Sequence, residues 1–224
     1  MDSAKKIILI GGGIGGVATA LALHRKGFYP IVHERVKELK EVGAGIALWA
    51  NATHVLKNLD LLSEAKEVGI ITTNYQFNSK NGKELVNVPV NGFELPTIGI
   101  HRADLHELLW RRLPQKQFVL GETFERFSLL EDRVCAYFDS GLTVEGDALV
   151  VTNCLVESST PAAAFQNYES QRFSRTKSVV EQSLRLGRMG QLAHPITVKL
   201  RETLMKLMKP AIKNSFKTLH AYRV

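Results

Sequence analysis

Residues 5–16 have the sequence KKIILIGGGIGG, in which a short apolar strand runs directly into closely spaced glycines. The spacing Gly11-x-Gly13-x-x-Gly16 is typical of a turn that grips the phosphates of a dinucleotide. Gly11 permits the tight turn, Gly13 lets the backbone approach a pyrophosphate, and Gly16 lets the next helix pack against the strand. The N-terminus of that helix then points at the phosphates, where its unpaired N–H groups favour an anion.

The residues that follow supply the structural context that this motif needs. An apolar helical run over 17–24 ends at Gly27, and a second strand over 30–33 leads to Glu34. A carboxylate at the end of that strand accepts hydrogen bonds from the 2′ and 3′ hydroxyls of a ribose and disfavours a 2′-phosphate. The sequence therefore predicts a βαβ unit with a dinucleotide site at its glycine turn. A purely structural tight turn is the alternative interpretation.

Length and composition set broad limits on the class of protein. A chain of 224 residues that is 45% hydrophobic and 23% charged has enough apolar material for one large or two small globular domains. No apolar run approaches the roughly 20 residues of a membrane span, and the first residues lead into a strand instead of a signal-peptide cleavage site. Cys135 and Cys154 lack metal-ligand spacing, which predicts reduced thiols, no metal site and a cytoplasmic location.

The charge distribution bears on the partners of the chain. Most of the net charge of +7 follows Met189, where seven basic residues face the single acid Glu202. The remainder is close to neutral, so nucleic-acid binding is not predicted. Apolar stripes with lysine on the other faces make the last helices a candidate for peripheral contact with an anionic membrane. Packing of these helices on the parent domain is the favoured alternative.

Hydrophobic periodicity and turn residues predict the remaining elements. A glycine-containing segment over 41–52 turns into a helix near Asn51, whose apolar positions at helical spacing continue to Leu62. Asn81-Gly82 favours a hairpin with a type I′ turn. Further elements are a helix over 101–110, five strands at 118–120, 124–130, 133–138, 142–144 and 148–151, a long helix from Pro161 to about Arg188, and two shorter helices separated by Pro210. We predict an α/β domain over 1–155, with strands inserted around 70–100, and a C-terminal helical region over 161–224.

Several motifs beyond the glycine turn occur in a fixed order. They are Glu34-Arg35, GAGIALWANA over 43–52, HRADL over 101–105 and EGDALV over 145–150. Together they resemble the single-component FAD-dependent monooxygenases, the aromatic-hydroxylase group that includes salicylate hydroxylase and relatives of zeaxanthin epoxidase. A second block, over 165–188, resembles the C-terminal helix of that family. The resemblance implies a Rossmann-like FAD-binding βαβ domain with an added antiparallel β-hairpin region and a C-terminal helical segment.

The resemblance also implies which residues contact the cofactor. Glu34 would hold the adenosine ribose, Arg35 and Ala47 would lie along the adenosine and ribityl portions, and Arg102 would approach the flavin side. The candidate cofactor-binding residues are Gly11, Gly13, Ile14, Gly15, Gly16, Glu34, Arg35, Gly45, Ala47 and Arg102. The cofactor would be FAD, with NAD(P)H as the candidate electron donor, and no catalytic residue is assigned.

The chain departs from the family pattern after the last predicted strand. The family has Gly-Ala-Asp-Gly there, whereas residues 151–154 are VTNC. The substrate-covering sheet domain and the later Gly-Asp turn with Ala-His-Pro are absent, and His194-Pro195 matches that turn only superficially. The resemblance thus implies an internally shortened member with a complete adenosine half of the site. The tail helices or a second copy of the chain would have to shield the flavin ring.

Three functions remain open from the sequence. The first is an FAD-binding oxidoreductase of the monooxygenase type that acts on an unidentified small organic substrate. The second is a non-catalytic FAD- or nucleotide-binding relative that serves as a partner or regulatory module. The third is an NAD-binding protein of the dehydrogenase type, which fits the glycine turn and Glu34 but gives no role to residues 43–52 or Arg102.

Overall fold

The computed structural model describes residues 5–39, 43–150 and 194–220, with the single residues 177, 181, 184, 188 and 191 between them; for 219 and 220 the description covers the backbone alone. The chain divides into two compact units. The first consists of 1–45 and 101–170, and the second of 46–100 and 171–224. This division groups residues 46–100 with the C-terminal helices. The predicted domain boundary between 155 and 161 falls outside the described residues and stays a prediction.

The elements are numbered here in chain order. The strands are β1 (Ile7–Ile10), β2 (Ile31–Glu34), β3 (Gly45–Leu48), β4 (Ile70–Thr72), β5 (Asn74–Asn78), β6 (Glu84–Pro89), β7 (Thr97–His101), β8 (Phe118–Leu120), β9 (Phe124–Leu129), β10 (Val134–Phe138), β11 (Thr143–Gly146) and β12 (Ala148–Val150). The helices are α1 (Ile14–Arg25), α2 (Ala50–Asn58), α3 (Leu62–Val68), α4 (Arg102–Trp110), α5 (Pro195–Leu207) and α6 (Lys209–His220).

A four-stranded parallel sheet organises the first unit, with strand order β12-β1-β2-β8. Parallel strands are covered on both faces, which explains why β1 is a continuous apolar run instead of an alternating one. On one face, α1 packs against β1 and β2 and also contacts α4. On the other, Ile8 and Leu149 pack with Val134, Ala136 and Phe138 of the antiparallel sheet β11-β10-β9. The glycine turn therefore leaves a strand that is fixed on both sides.

The second unit contains a three-stranded sheet, β3-β7-β4, and the two-stranded hairpin β5-β6. Strand β6 buries Leu85 on one face and Val86 and Val88 on the other, which alternation along a strand produces. Met205 of α5 and Ile212 and Phe216 of α6 pack against these residues. The C-terminal helices thus complete the core of the hairpin, as favoured from the sequence.

The α/β class predicted from the sequence is confirmed. The βαβ unit, the hairpin, the helix near 101–110 and the two tail helices all form within a few residues of the predicted positions. Cys135 is a buried free thiol, as predicted, whereas Cys154 and most of the predicted helix over 161–188 lie outside the described residues. No helix in the described ranges combines the length and apolar character that crossing a bilayer requires.

Two local predictions are wrong. A type I′ turn needs positive φ at both central residues, but among the described non-glycine residues positive φ occurs only at Asp60. In the hairpin, the Gly82 N–H donates to the Ser79 carbonyl oxygen at 3.0 Å, and Gly82 has φ +79°. This arrangement is a type I turn followed by a left-handed glycine.

The helix expected near Asn51 is divided into α2 and α3, because the chain turns at Asp60 with φ +55°.

Candidate nucleotide-binding site

The glycine turn is built on the end of β1 and the start of α1. Gly11 has φ +95°, a conformation that favours glycine, and its N–H donates to the His33 carbonyl oxygen at 2.8 Å. Gly13 is the N-cap of α1, and its carbonyl oxygen accepts the first helical hydrogen bond from Val17 at 2.9 Å. The N–H groups of the first helical turn have no partner within the helix, so they face the region in front of the turn.

The glycines of the turn differ in whether the fold itself requires them. A Cβ atom at Gly16 would lie 1.9 Å from the Gly11 carbonyl oxygen, so packing alone demands glycine there. A Cβ atom at Gly13 or at Gly15 would meet nothing within 4 Å. Gly13 also has φ −71°, which any residue adopts. The fold therefore does not explain the glycine at 13, where a side chain would fill the open space in front of α1.

Glu34 closes the site from the end of β2. Its Oε2 atom accepts a hydrogen bond from the Gly12 N–H at 2.5 Å, and its Oε1 atom accepts one from the Val36 N–H at 3.1 Å. The carboxylate thus lies directly beside the glycine turn, as the predicted ribose site requires. A carboxylate has about four acceptor positions, so two remain for ligand hydroxyls.

His106 of α4 is a residue of this site that the sequence analysis did not identify. Its ring is buried, and Nε2 lies 2.6 Å from the Gly12 carbonyl oxygen. A signal was present in the sequence, because position 106 lies between the apolar residues Leu105 and Leu108. A histidine at such a position is expected to be buried and to need a hydrogen-bond partner.

The other predicted cofactor residues lie in separate places. Within the first unit, Arg102 packs against the 43–45 segment. A Cβ atom at Gly43 would lie 3.2 Å from the Arg102 side chain, and the Arg102 N–H donates to the Ala44 carbonyl oxygen at 3.4 Å. Gly45 begins β3, Ala47 lies in β3 within the second unit, and Arg35 is exposed just after β2. The structure thus brings together Gly11–Gly16 with Glu34, and places Arg102 against Gly43 and Ala44, just before the predicted residue Gly45.

An aromatic cluster occupies the second unit. The Trp49 indole N–H donates to the Tyr75 hydroxyl at 3.1 Å, and the ring of Phe216 lies 5.8 Å from Trp49 and 5.7 Å from Tyr75 between centroids. Burial raises the pKa of the Tyr75 hydroxyl, while its hydrogen bond with Trp49 opposes that shift. The cluster fixes α6 on the hairpin.

His33 connects the site to the stability of the sheet. Its side chain is buried against Phe138, and neither ring nitrogen has a hydrogen-bond partner. Burial lowers the pKa of His33, while the nearby Glu122 acts in the opposite direction. In the unfolded chain, a histidine has a pKa of about 6.5 and binds a proton below that pH. In the folded protein, the His33 ring is still neutral just below that pH, because its pKa is lowered.

This difference predicts a pH-dependent free energy of unfolding. His33 lowers the free energy of unfolding as the pH decreases from about 6.5 towards its own lowered pKa, because only the unfolded state gains the proton, whereas above about pH 6.5 its contribution does not change with pH. We expect a lower melting temperature at pH 5.5 than at pH 7.5, and a smaller difference in His33→Leu. Thermal unfolding at both values measures this, with the exposed His194→Gln as control. An unchanged pH difference in His33→Leu would contradict the assignment.

The fold and the Glu34–glycine arrangement are typical of the dinucleotide-binding class of α/β proteins. The chain is 36% identical to 3-hydroxybenzoate 6-hydroxylase 1 of Aquipseudomonas alcaligenes over 156 residues, which cover 64% of this chain and 39% of that protein. No family model matches the chain. Over about two thirds of its own length, the chain is related to the FAD-dependent aromatic-ring monooxygenases.

Solved structures show the same fold. HpxO of Klebsiella pneumoniae, complexed with FAD and uric acid, matches with a TM-score of 0.60 at 23% identity, over 68% of this chain and 40% of that one. The tetrameric form of 2-methyl-3-hydroxypyridine-5-carboxylic acid oxygenase matches with a TM-score of 0.58 at 25% identity, over 67% and 40%. The chain thus spans about two fifths of the length of the proteins that it matches.

Proposed function

We propose that the chain binds FAD through the ADP moiety and acts as a flavin-dependent oxidoreductase of the monooxygenase type on a small aromatic substrate. One observation carries the proposal: Gly13 leaves open space in front of the α1 N-terminus, directly beside the Glu34 carboxylate. The relatives support it, since they are hydroxylases and monooxygenases named for small ring compounds such as 3-hydroxybenzoate and 6-hydroxynicotinate.

The residues of the turn fit the ADP half of the cofactor. The N–H groups of Gly13, Ile14, Gly15 and Gly16 stand at the positive end of α1, where a pyrophosphate is favoured. The remaining acceptor positions of Glu34 suit the ribose hydroxyls. We assign Arg35, Gly45, Ala47 and Arg102 to the rest of the cofactor. Bound FAD would supply the electron transfer and oxygen chemistry, while the chain binds and orients it.

Binding of FAD is expected to depend on the adenosine half. The wild-type chain should bind FAD more tightly than FMN, because FMN lacks the ribose and phosphate that the turn and Glu34 address. Glu34→Ala should weaken FAD binding by about tenfold to a hundredfold, since a hydrogen bond to a charged group contributes about 1.5–3 kcal/mol. Titration of the protein with FAD, FMN and NAD measures these affinities.

A matched variant separates the ribose contact from general effects. Glu122 is also acidic and follows the neighbouring strand β8, and its N–H donates to the Glu34 carbonyl oxygen at 3.0 Å through the backbone alone. Glu122→Ala should therefore leave FAD affinity within about twofold of wild type. Equal or tighter FMN binding would contradict the proposal, and tighter NAD than FAD binding would favour a dehydrogenase-type protein.

Catalysis is the second part of the proposal, with NAD(P)H as electron donor. We expect the FAD-loaded protein to consume oxygen when NADH or NADPH is added. A non-catalytic FAD-binding relative would consume none, so this measurement separates the two functions.

We also propose that two or more chains assemble to complete one site, since one relative of known structure has a tetrameric form. Light scattering of the FAD-loaded protein measures the number of chains.

Peripheral contact with an anionic membrane is a further part of the proposal, and α5 supports it. Met205 faces the core of the second unit, while Ile196, Leu200 and Leu207 on the opposite face are 72%, 60% and 74% exposed. Exposed lysines lie beside this apolar face, at 199 and 206. An apolar stripe flanked by lysine is typical of a helix at an anionic membrane surface.

Vesicle binding tests this contact. The chain should sediment with vesicles that contain phosphatidylserine and not with neutral ones. Leu200→Ser should lower the binding by about tenfold, because a leucine buried in the interface contributes about 1.5 kcal/mol or more. Val55→Ser removes another exposed apolar side chain, 42% exposed on α2, and should have no effect. Equal binding to both vesicle types would exclude an electrostatic membrane contact.

A further inference from the structure

Gly12 is held by side chains on both of its polar backbone groups. Its N–H donates to Glu34 Oε2 at 2.5 Å, and its carbonyl oxygen lies 2.6 Å from Nε2 of His106. The first group belongs to the peptide plane before Gly12 and the second to the plane after it. The two contacts therefore fix both backbone dihedral angles of a residue type that has the greatest conformational freedom.

The His106 contact has a defined direction. A carbonyl oxygen only accepts hydrogen bonds, so the imidazole must donate from Nε2–H. The ring is 2% exposed and lies on α4, which packs beside α1. Water therefore has little access to the Gly12 carbonyl oxygen and cannot readily replace the imidazole. The donor group is also part of a helix and not of a loop.

The orientation of the Gly12 carbonyl group determines that of the next N–H. In a planar trans peptide, the C=O and the following N–H point in opposite directions. Because His106 draws the Gly12 carbonyl oxygen towards α4, the Gly13 N–H points away from α4. Gly13 is the N-cap residue with open space at its Cβ position, which is where the proposed pyrophosphate would lie.

We infer that His106 is a positioning residue of the nucleotide site: its hydrogen bond to the Gly12 carbonyl group sets the peptide that presents the Gly13 N–H to a phosphate. This inference rests on the proposed nucleotide binding. His106 need not touch the ligand itself, and it acts through the peptide between Gly12 and Gly13.

Two substitutions separate positioning from packing. His106→Leu fills similar space without a donor, whereas His106→Gln keeps a side-chain N–H that reaches the same carbonyl oxygen. His33→Leu is the matched control, because His33 is an equally buried histidine of the first unit whose ring contacts Phe138 instead of the turn. The probe is ADP, which contains the ribose and phosphates without the flavin.

Calorimetric titration with ADP should show about a tenfold loss of affinity in His106→Leu, as expected for one lost hydrogen bond of about 1.4 kcal/mol. His106→Gln should remain within about threefold of wild type, and His33→Leu within about twofold. Melting temperatures are recorded for all three variants, because a merely structural role would change stability without changing affinity. Wild-type affinity in His106→Leu, or no rescue by glutamine, would overturn the inference.

A second measurement keeps this result distinct from failure of the proposed function. Amide hydrogen exchange of residues 11–16 in the nucleotide-free protein should be faster in His106→Leu and unchanged in His106→Gln and His33→Leu. If the wild-type chain binds neither ADP nor FAD, the proposed function is wrong, and exchange alone decides whether His106 orders the turn. Unchanged exchange in His106→Leu would overturn the inference in either case.

Discussion

Gly13→Val is expected to abolish binding of FAD and ADP while the protein remains folded. A side chain at this position meets no protein atom within 4 Å, and the backbone has φ −71°, so the fold accepts it. The methyl groups would instead occupy the space that a pyrophosphate needs. Valine is a poorer N-cap than glycine, which should lower the melting temperature by about 2–4 °C.

Titration with ADP and thermal unfolding measure the two effects separately. Gly92→Val is the control, because Gly92 also has open space at its Cβ position but lies outside the glycine turn. It should leave ADP affinity unchanged. Normal ADP binding in Gly13→Val would mean that the open space in front of α1 is not a phosphate site, and the proposed function would lose its main support.

Gly16→Ala is expected to have the opposite effect, a large loss of stability. The added Cβ atom would lie 1.9 Å from the Gly11 carbonyl oxygen and 3.1 Å from Leu9. The nearest atom is backbone, so α1 would have to move away from β1. Overpacking of this kind costs about 3 kcal/mol, which corresponds to a fall of roughly 6–12 °C in melting temperature for a chain of this size.

Gly15→Ala is the matched control for thermal unfolding. Gly15 lies in the same helical turn and has open space at its Cβ position. Alanine there should raise the helix stability by up to about 1 kcal/mol. Equal melting temperatures for Gly16→Ala and wild type would show that α1 does not approach β1 as closely as described.

The parts of this fold that sequence predicts are those encoded by neighbouring residues. The strand, glycine turn, helix and second strand that end at Glu34 all lie within about thirty positions, and each has its own local signal. The His106 contact joins residues 94 positions apart. Nothing near position 106 specifies the Gly12 carbonyl group as its partner, so only the packing of α4 on α1 reveals it.

The tail helices show a different limit. Leu200, Leu204 and Leu207 form an apolar stripe at helical spacing on α5, yet Met205 packs against the hairpin instead. Both faces of this helix are apolar enough to be buried, so periodicity does not determine which one meets the core. The hairpin turn was similarly ambiguous, since Asn81-Gly82 fits a two-residue turn as well as the observed longer one.

The packing of α5 and α6 on β6 also imposes an order on biosynthesis. Leu85, Val86 and Val88 leave the ribosome well before Met205 and Phe216, which complete their core. At about 5–20 residues per second, the hairpin spends roughly 5–25 seconds without its cover. During that interval its apolar residues are open to chaperones and to other nascent chains. The hairpin core is therefore completed only after the last helices have been synthesised. A nonsense mutation upstream of them would release a chain whose hairpin core is exposed.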